Sequence, residues 1–202
     1  MNHSYFQRET SNGLCLVGIY DRLLQERKLI FTDEVNAASA NELIAHLLAL
    51  EMEDKAKPVT LYINSPGGEV ASGLAVYDAI RELSAPVDCV CIGTAASMAS
   101  IIFLAGRNRI MYEHTKIMIH DPLISGSVGT KKALELEKEA ERLMETRKLL
   151  ADIISERTGR TMKEVLEKTG EDCYMDAEEA MSFGIATGVV RNDKKEGGEV
   201  TL

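Results

Sequence analysis

The chain has 202 residues, which is enough for one domain with a sizeable core. Its content of 45% hydrophobic and 27% charged residues is ordinary for a globular protein. The net charge of −9, without a basic stripe, argues against nucleic-acid binding, and no apolar run is long enough to span a bilayer. Because the polar N-terminus also lacks a signal-peptide core, we expect a cytoplasmic protein that binds neither nucleic acid nor membrane.

The predicted elements alternate between strands and helices in chain order. Strand-like segments are LIF (29–31), VTLYIN (59–64), VDCVCIG (87–93), RIMYE (109–113), KIMIH (116–120) and YM (174–175). Helical apolar spacing marks residues 38–53, 70–83, 97–106, 130–159, 161–170 and 177–184. This alternation predicts parallel pairing and an α/β fold. No linker divides the chain, so we expect a single domain over residues 1–202, with a mobile N-terminal segment (1–13) and a mobile tail (191–202).

The longest predicted helix, residues 130–159, is rich in charged residues. Thr130 is predicted as its N-cap and Gly159 as the residue that ends it. A helix of this length exceeds what one small sheet can cover. We therefore expect it to project from the fold or to pack on a partner chain.

The four cysteines are interpreted as small hydrophobic residues in a reducing compartment. Cys89 and Cys91 are two residues apart in a predicted strand, so both point to the same face. This spacing matches neither a zinc knuckle nor a thioredoxin-type redox pair, and the other two cysteines are Cys15 and Cys173. No metal ion or other cofactor is expected.

The segment GTAASMASIIFLAG, residues 93–106, places Ser97 among small residues between a strand and a helix. Small residues there indicate either tight backbone packing or close approach of a ligand to the serine. Ser97 is a candidate nucleophile, because a strand–turn–helix geometry exposes a side chain beside free backbone N–H groups. The alternative is a helix N-cap.

A serine nucleophile needs a base, and His120 is the best candidate because it ends a predicted strand, where α/β sites form. His3 lies in the N-terminal segment, His46 is expected on the solvated side of a helix, and His114 lies in a turn. Spacing alone does not choose the carboxylate that would orient the base. Asp121 is adjacent to His120 but would point to the opposite face of an extended chain.

The turn SPGG, residues 65–68, is a second candidate for the site. Pro66 presets a turn, and Gly67 can adopt a positive φ. Gly68 leaves a backbone N–H uncovered by any side chain, which suits an oxyanion hole. A plain strand-to-helix turn is the alternative.

The motifs YINSPGG, GTAASMAS, IMIHDPL and EDCYMDAEEAMSFGI occur in this order and resemble the Clp protease proteolytic subunit family, from about Tyr20 to Val190. The resemblance implies a serine endopeptidase of an ATP-dependent protease, with a crotonase-like ββα superhelix and a long helix that projects as a handle. It also implies stacked heptameric rings that enclose a chamber. A Clp-type AAA+ unfoldase (ClpX, ClpA or ClpC) would dock on the rings and feed in unfolded polypeptide.

The same resemblance implies roles for individual residues. It assigns a catalytic triad to Ser97, His120 and Asp172, where Asp172 is placed by the AEEA…FGI that follows it. It assigns the backbone oxyanion donors to Gly68 and Met98. The segment that pairs with substrate as an added strand contains Pro122, Leu123 and Ile124.

The chain also departs from the family pattern. Ile124 and Ser125 replace two usual glycines, and Glu171 replaces an Arg that commonly makes ion pairs between rings. Thr60 and Glu82 stand where aromatic residues commonly line the unfoldase-docking pocket. A second, paralogous subunit would then be needed to supply those pockets.

Two other interpretations stay open at this point. One is a structural or non-autonomous subunit of a mixed ring. The other is a crotonase-type acyl-CoA enzyme, which would also use backbone N–H groups as an oxyanion hole but would not need a Ser-His-Asp set.

Overall fold

The computed structural model describes residues 5–10, 13–124 and 132–191. The helices of this part are α1 (Ile19–Gln25), α2 (Ala37–Glu53), α3 (Val70–Glu82), α4 (Met98–Ala105), α5 (Ala133–Thr158), α6 (Met162–Thr169) and α7 (Ala177–Phe183). Its strands are β1 (Tyr5–Thr10), β2 (Gly13–Gly18), β3 (Lys28–Phe31), β4 (Val59–Ser65), β5 (Val87–Ala96), β6 (Arg109–Tyr112), β7 (Lys116–Ile119), β8 (Cys173–Met175) and β9 (Gly188–Val190). Each predicted strand and helix corresponds to one of these elements, so the α/β prediction is confirmed.

Two features near the N-terminal end of the chain were not predicted. Strands β1 and β2 pair as an antiparallel hairpin, whereas the sequence predicted no strand before residue 29. Helix α1 follows directly, and it has no fully buried residue. The tail is described only as far as Arg191, and the rest of the predicted mobile segments, residues 1–4, 11–12 and 192–202, lies outside the described residues.

A seven-stranded sheet forms the centre of the described fold. Its main path runs β3-β4-β5-β6-β9, and all of these pairs are parallel. Strand β7 pairs in parallel with β5 and antiparallel with β8. Parallel strands need crossover connections, and helices α2, α3 and α4 supply them between successive strands. We propose that these layers form one domain, because the buried apolar side chains from Leu29 to Ala186 belong to one cluster.

Strand β5 forks, and this fork positions the candidate site. Its first half pairs with β6 at Cys89–Cys91, while its last three residues pair with β7. A register shift lies between Ile63 and Ser65 of the neighbouring strand β4, where the Asn64 side chain accepts a hydrogen bond from Thr94 N at 3.0 Å. A Cβ on Gly93 would lie 2.2 Å from Asn64 Oδ1, so a larger residue here would displace the side chain that bonds Thr94 N.

Helix α2 shows how the sequence pattern becomes a buried face. Asn36 caps it by accepting from the Ala38 and Ser39 backbone N–H groups. The residues that it buries recur at helical spacing and are Ala40, Leu43, Leu47 and Leu50. Leu48, which the apolar pattern includes, is instead about half exposed at 49%.

Helix α4 lies inside the core, and all eight of its residues are buried. This location explains the small residues of the segment 93–106. A Cβ on Gly73 of α3 would lie 2.5 Å from Met98 Cε, and one on Gly106 would lie 2.8 Å from Cys89 Sγ. The glycines therefore allow neighbouring elements to approach α4 closely.

Helix α5 is the long charged helix of the sequence. Its N-cap is Lys132 rather than the predicted Thr130, which lies outside the described residues. Gly159 ends it in the left-handed conformation with φ 73°, as predicted. At 26 residues the helix is about 39 Å long, yet it buries only Leu150, Ala151 and Ile154, all near its C-terminal end. The rest of α5 therefore extends beyond the core.

No helix in the described ranges combines the length and the apolar character needed to cross a bilayer. Cys89 and Cys91 are free thiols on the same strand, and both are buried. Burial raises the pKa of the Cys89 thiol to about 12 and also raises the pKa of Cys91. These two cysteines therefore serve as packing residues, as the sequence predicts.

We expect Cys89 and Cys91 to resist alkylation in the folded protein, because the thiolate is the reactive form and both groups are buried. The measurement is treatment with N-ethylmaleimide at pH 8, with and without urea, followed by peptide mass spectrometry. Modification of Cys89 at the same rate with and without urea would contradict the burial of its thiol in the folded protein. The partly exposed Cys173 is the internal control.

Candidate active site

Ser97 occupies the sharp turn between β5 and α4. Its backbone has φ 51° and ψ −125°, a strained conformation for a residue with a side chain. Ser97 N donates to Met118 O at 2.9 Å, and Ser97 O accepts from both the backbone N–H and the hydroxyl of Ser100. The hydroxyl of Ser97 makes no capping bond to α4. The N-cap interpretation therefore does not explain this side chain, which is free for another partner.

That partner is His120, which follows β7. Because Ala96 pairs with Met118, the carboxyl ends of β5 and β7 lie side by side. The Ser97 Oγ and His120 Nε2 atoms are 2.8 Å apart. The histidine side chain is only 12% exposed. With its proton on Nδ1, the ring accepts the Ser97 hydroxyl proton at Nε2, which is the arrangement of a general base.

Asp172 stands beside His120 because of the register of β7 and β8. Ile119 pairs with Cys173, so the next position of this antiparallel ladder places His120 opposite Asp172. The distance from His120 Nδ1 to Asp172 Oδ1 is 3.8 Å, within ion-pair range but beyond a hydrogen bond. The Asp172 side chain is 66% exposed. The Asp172 carboxylate therefore lies near His120 but makes no hydrogen bond to its ring in this structure.

Asp121, the other acidic neighbour of His120, is not available as the orienting carboxylate. Arg147 of α5 donates to its Oδ2 atom, and the hydroxyl of Thr169 donates to its Oδ1 atom. Both oxygens therefore already bind side chains other than the histidine.

The Gly67–Gly68 turn places a backbone N–H beside Ser97. Gly67 O accepts from Val35 N at 2.8 Å, and Glu69 N donates to Val35 O at 2.7 Å. The Gly68 N–H shares a trans peptide group with Gly67 O, and the two bonds of such a group point in opposite directions, so this N–H faces away from Val35. Gly68 lines the cleft on that side.

The second such group is the N–H of Met98, the first residue of α4. Within the described residues neither it nor the Gly68 N–H has a hydrogen-bond partner. The two groups therefore fit an oxyanion hole.

A cleft of about 720 Å³ unites these groups. Ser97, His120 and Asp172 line it together with the two N–H donors, and its apolar walls come from Ile101, Leu150 and Ile154. A cleft of this size with a few convergent polar groups is typical of a binding site.

Of the three predicted substrate-binding residues, Pro122 and Leu123 line the cleft. Ile124 is exposed and is not among the described residues of its lining. Ser125 lies outside the described residues.

The remaining histidines lie elsewhere. His114 is 92% exposed in the turn between β6 and β7, as expected. His46 is half-buried, not fully solvated, and it lines a separate cavity beside β3. His3 lies outside the described residues.

Sequence reasoning missed three residues that shape the site. Ser100 holds the backbone of Ser97, while Arg147 and Thr169 bind Asp121. The partners of Arg147 and Thr169 are 26 and 48 residues away along the chain, so no local pattern marks them. The sequence signal for Ser100 was its position three residues after Ser97, which suits a bond to the serine carbonyl.

Comparison with known proteins identifies the family to which this chain is similar. The model of a family described as Clp protease matches residues 11–193. The ATP-dependent Clp protease proteolytic subunit 3 of Synechococcus sp. (strain CC9902) is 40% identical over 86% of this chain and 87% of its own length. The ATP-dependent Clp protease proteolytic subunit of Ligilactobacillus salivarius (strain UCC118) is 38% identical over 93% of this chain and 94% of its own length. The ATP-dependent Clp protease proteolytic subunit 2 of Chlamydia pneumoniae is 39% identical over 95% of this chain and 94% of its own length.

Gly67→Ala tests the close approach of the glycine turn to Ser97. A Cβ there would lie 2.4 Å from Ala96 O and 2.7 Å from Ser97 Cβ, at a φ of 91°. We expect the variant to displace Ser97 and to react with a fluorophosphonate probe far more slowly than the parent. Gly159→Ala is the matched control, because it has a positive φ but nothing within 4 Å.

The control should lose only about 1 to 2 kcal/mol of stability from backbone strain and should keep its labelling rate. Both variants are compared by thermal unfolding and by the rate of labelling. Equal labelling rates in Gly67→Ala and Gly159→Ala would show that the turn does not constrain Ser97.

Proposed function

The chain belongs to the Clp protease family, a family of peptidases with the crotonase-like fold, and we propose that it is a serine endopeptidase, the proteolytic subunit of an ATP-dependent Clp protease. The observation that carries this proposal is the 2.8 Å contact between Ser97 Oγ and His120 Nε2. That contact lies in a cleft that also holds two uncommitted backbone N–H groups.

The proposed reaction begins with attack of Ser97 Oγ on the carbonyl carbon of the scissile peptide bond. His120 Nε2 takes the hydroxyl proton and then gives it to the leaving amine. The negative charge on the carbonyl oxygen is stabilised by the N–H groups of Gly68 and Met98. Water then hydrolyses the acyl-enzyme by the same steps, with His120 again as the base.

Asp172 has the third role in this proposal. A hydrogen bond to His120 Nδ1 would require the 3.8 Å separation to shorten by about 1 Å. Catalytic hydrogen bonds are often long before substrate binds, and we propose that this one shortens when substrate occupies the cleft. Its carboxylate would then stabilise the imidazolium form of His120.

The substrate is proposed to bind as an added strand. The segment Pro122–Ile124 follows β7, and its side chains at Leu123 and Ile124 are 71% and 46% exposed. Pro122 and Leu123 of this segment line one side of the cleft, and the Gly68 turn lines it as well. An extended, unfolded polypeptide can lie between them with its backbone paired on both sides.

We propose that the chain works in stacked heptameric rings. Most of α5 extends beyond the core and exposes apolar side chains, namely Leu134, Leu136, Met144 and Leu149. Apolar residues spaced along an extended helix favour contact with a second copy of that helix. Glu171 is exposed beside Asp172, where the family commonly has an arginine, so contacts between rings must differ in charge from the usual pattern.

An AAA+ unfoldase is the proposed external partner, with a second paralogous subunit as an aid to its docking. Thr60 is half-buried on β4, and Glu82 is exposed at the end of α3. Glu82 therefore carries no desolvation cost until an unfoldase loop covers it. Neither residue offers the aromatic surface on which such loops commonly dock.

The two alternative functions receive no support from the site. A purely structural subunit would not need the contact between Ser97 and His120. An acyl-CoA enzyme would need the backbone donors but not the serine–histidine pair. We therefore retain the peptidase proposal, with a paralogous subunit only as an aid to unfoldase docking.

Ser97→Ala is expected to abolish hydrolysis of a fluorogenic peptide by the assembled protein. Loss of a triad nucleophile lowers turnover by up to about 10⁶-fold, and the missing hydroxyl makes no structural bond except to His120. Ser155→Ala is the control, because within the described residues its hydroxyl bonds to Arg160 O, and neither residue lines the cleft. Peptide cleavage by Ser97→Ala at the rate of the parent would contradict the nucleophile assignment.

A second prediction concerns the unfoldase. Thr60→Tyr combined with Glu82→Phe should tighten docking, because aromatic anchors often contribute about 2 kcal/mol or more to such interfaces. The measurement is ATP-dependent degradation of a folded, tagged protein while the unfoldase is titrated, with hydrolysis of a short peptide as the reference. A parent protein that already reaches half its maximal rate at submicromolar unfoldase, with no gain in the double variant, would contradict this proposal.

A further inference from the structure

Asp121 connects three elements around the candidate site. It follows His120 directly, and its Oδ2 atom accepts from Arg147 Nε of α5 at 2.6 Å. Its Oδ1 atom accepts from the hydroxyl of Thr169, the last residue of α6, at 2.8 Å. One carboxylate therefore links the end of β7, the long helix α5 and the loop that leads to Asp172.

The backbone repeats this link. Asp121 N donates to Thr169 O at 2.8 Å, just beyond the ladder in which Ile119 pairs with Cys173. The two residues between Thr169 and Asp172 thus form a short loop that is closed by Asp121 at both the side chain and the backbone. Because His120 lies between Ile119 and Asp121, the same contacts set its position relative to Asp172.

These bonds are strong enough to constrain the loop. Thr169 is 4% exposed, and the side chains of Asp121 and Arg147 are 30% and 26% exposed, so the charged groups are partly shielded from water. Hydrogen bonds to a charged acceptor are about twice as strong as neutral ones. Asp172 itself is 66% exposed and has no such anchor of its own within the described residues. Its position therefore depends on the closed loop before it.

We propose that Asp121 is a positioning residue for the His120–Asp172 pair, and that its bond to Arg147 makes the geometry of this pair depend on α5. The inference rests on the proposed function, in which Ser97, His120 and Asp172 form the triad. Asp121 does not line the described part of the cleft, so it acts through the loop and not on substrate. A purely structural clamp is the competing explanation.

The test is a double-mutant cycle between Thr169→Val and Asp172→Asn in the full-length, assembled protein. Thr169→Val keeps the shape and removes only the hydroxyl that binds Asp121. We expect it to lower kcat for a fluorogenic peptide about tenfold, with KM changed less than about twofold, because Asp172 then holds His120 less often. Thr169→Ser, which restores the hydroxyl, should recover kcat to within about twofold of the parent.

In the Asp172→Asn background, Thr169→Val should have almost no further effect, because a residue that acts through Asp172 loses its influence when that carboxylate is gone. The second-order rate of fluorophosphonate labelling at Ser97 serves as the readout where turnover is slow. Thr115→Val is the matched control: Thr115 is also 4% exposed, and its hydroxyl binds Tyr112 O away from the cleft. Arg147→Gln provides a second variant, which breaks the other side-chain bond to Asp121.

Each outcome decides the proposal. The proposal is supported if the effects of Thr169→Val and Asp172→Asn on kcat are non-additive. If Thr169→Val does not fold, the same criterion applies to Arg147→Gln with Asp172→Asn. Independent, multiplicative effects overturn it. Loss of the folded assembly in both variants also overturns it, since Asp121 would then be a structural clamp. A parent protein without peptidase activity or Ser97 labelling would instead contradict the proposed function, which separates the two failures.

Discussion

The parallel pairing of the last residues of β5 with β7 is the constraint on which the site depends. Ala96 pairs with Met118, and the next backbone N–H, that of Ser97, donates to Met118 O. From this point α4 begins on one strand, while His120 follows two residues later on the other. The serine and the histidine meet because both chains leave the sheet at the same edge. A shift of this register by one residue would turn the histidine to the opposite face.

Close approach of backbones is the second physical requirement, and it accounts for the small residues of this chain. Gly67 lies against the peptide that precedes Ser97, and Gly93 makes room for the Asn64 side chain at the fork of β5. A side chain at Gly67 would push apart the elements that hold the nucleophile and the oxyanion donors, and one at Gly93 would displace the Asn64 side chain from Thr94 N. The strained backbone of Ser97 persists because hydrogen bonds on both sides over-determine it.

Much of this arrangement could be predicted from sequence, because local rules govern it. Short apolar segments predicted the strands, and apolar residues at helical spacing predicted the helices. Ser97 and His120 were found because each stands where a predicted element begins or ends. Asp172 came from family resemblance alone, since an exposed aspartate on a short loop has no periodic signal and its place beside His120 depends on the β7–β8 register.

The parts that sequence missed depend on long-range contacts. Arg147 reaches Asp121 from a helix 26 residues away, and Thr169 reaches it from 48 residues away. The sequence also predicted the wrong N-cap for α5, because Thr130 is the better N-cap by residue type. In the structure the N-cap is Lys132, and its backbone N–H donates to the Glu135 side chain. Leu48 fitted the apolar pattern but is half exposed, because the buried stripe of α2 runs through other positions of the helix.

The most direct test of the central claim is a crystal structure of the assembled protein with a peptide boronate, which mimics the tetrahedral intermediate of peptide hydrolysis. The account predicts a bond between boron and Ser97 Oγ. It also predicts one boronate oxygen within hydrogen-bonding distance of the Gly68 and Met98 N–H groups, with His120 Nε2 close to another. Boron bound to a different side chain, or an oxygen that points away from both N–H groups, would contradict the assignment of this cleft as the active site.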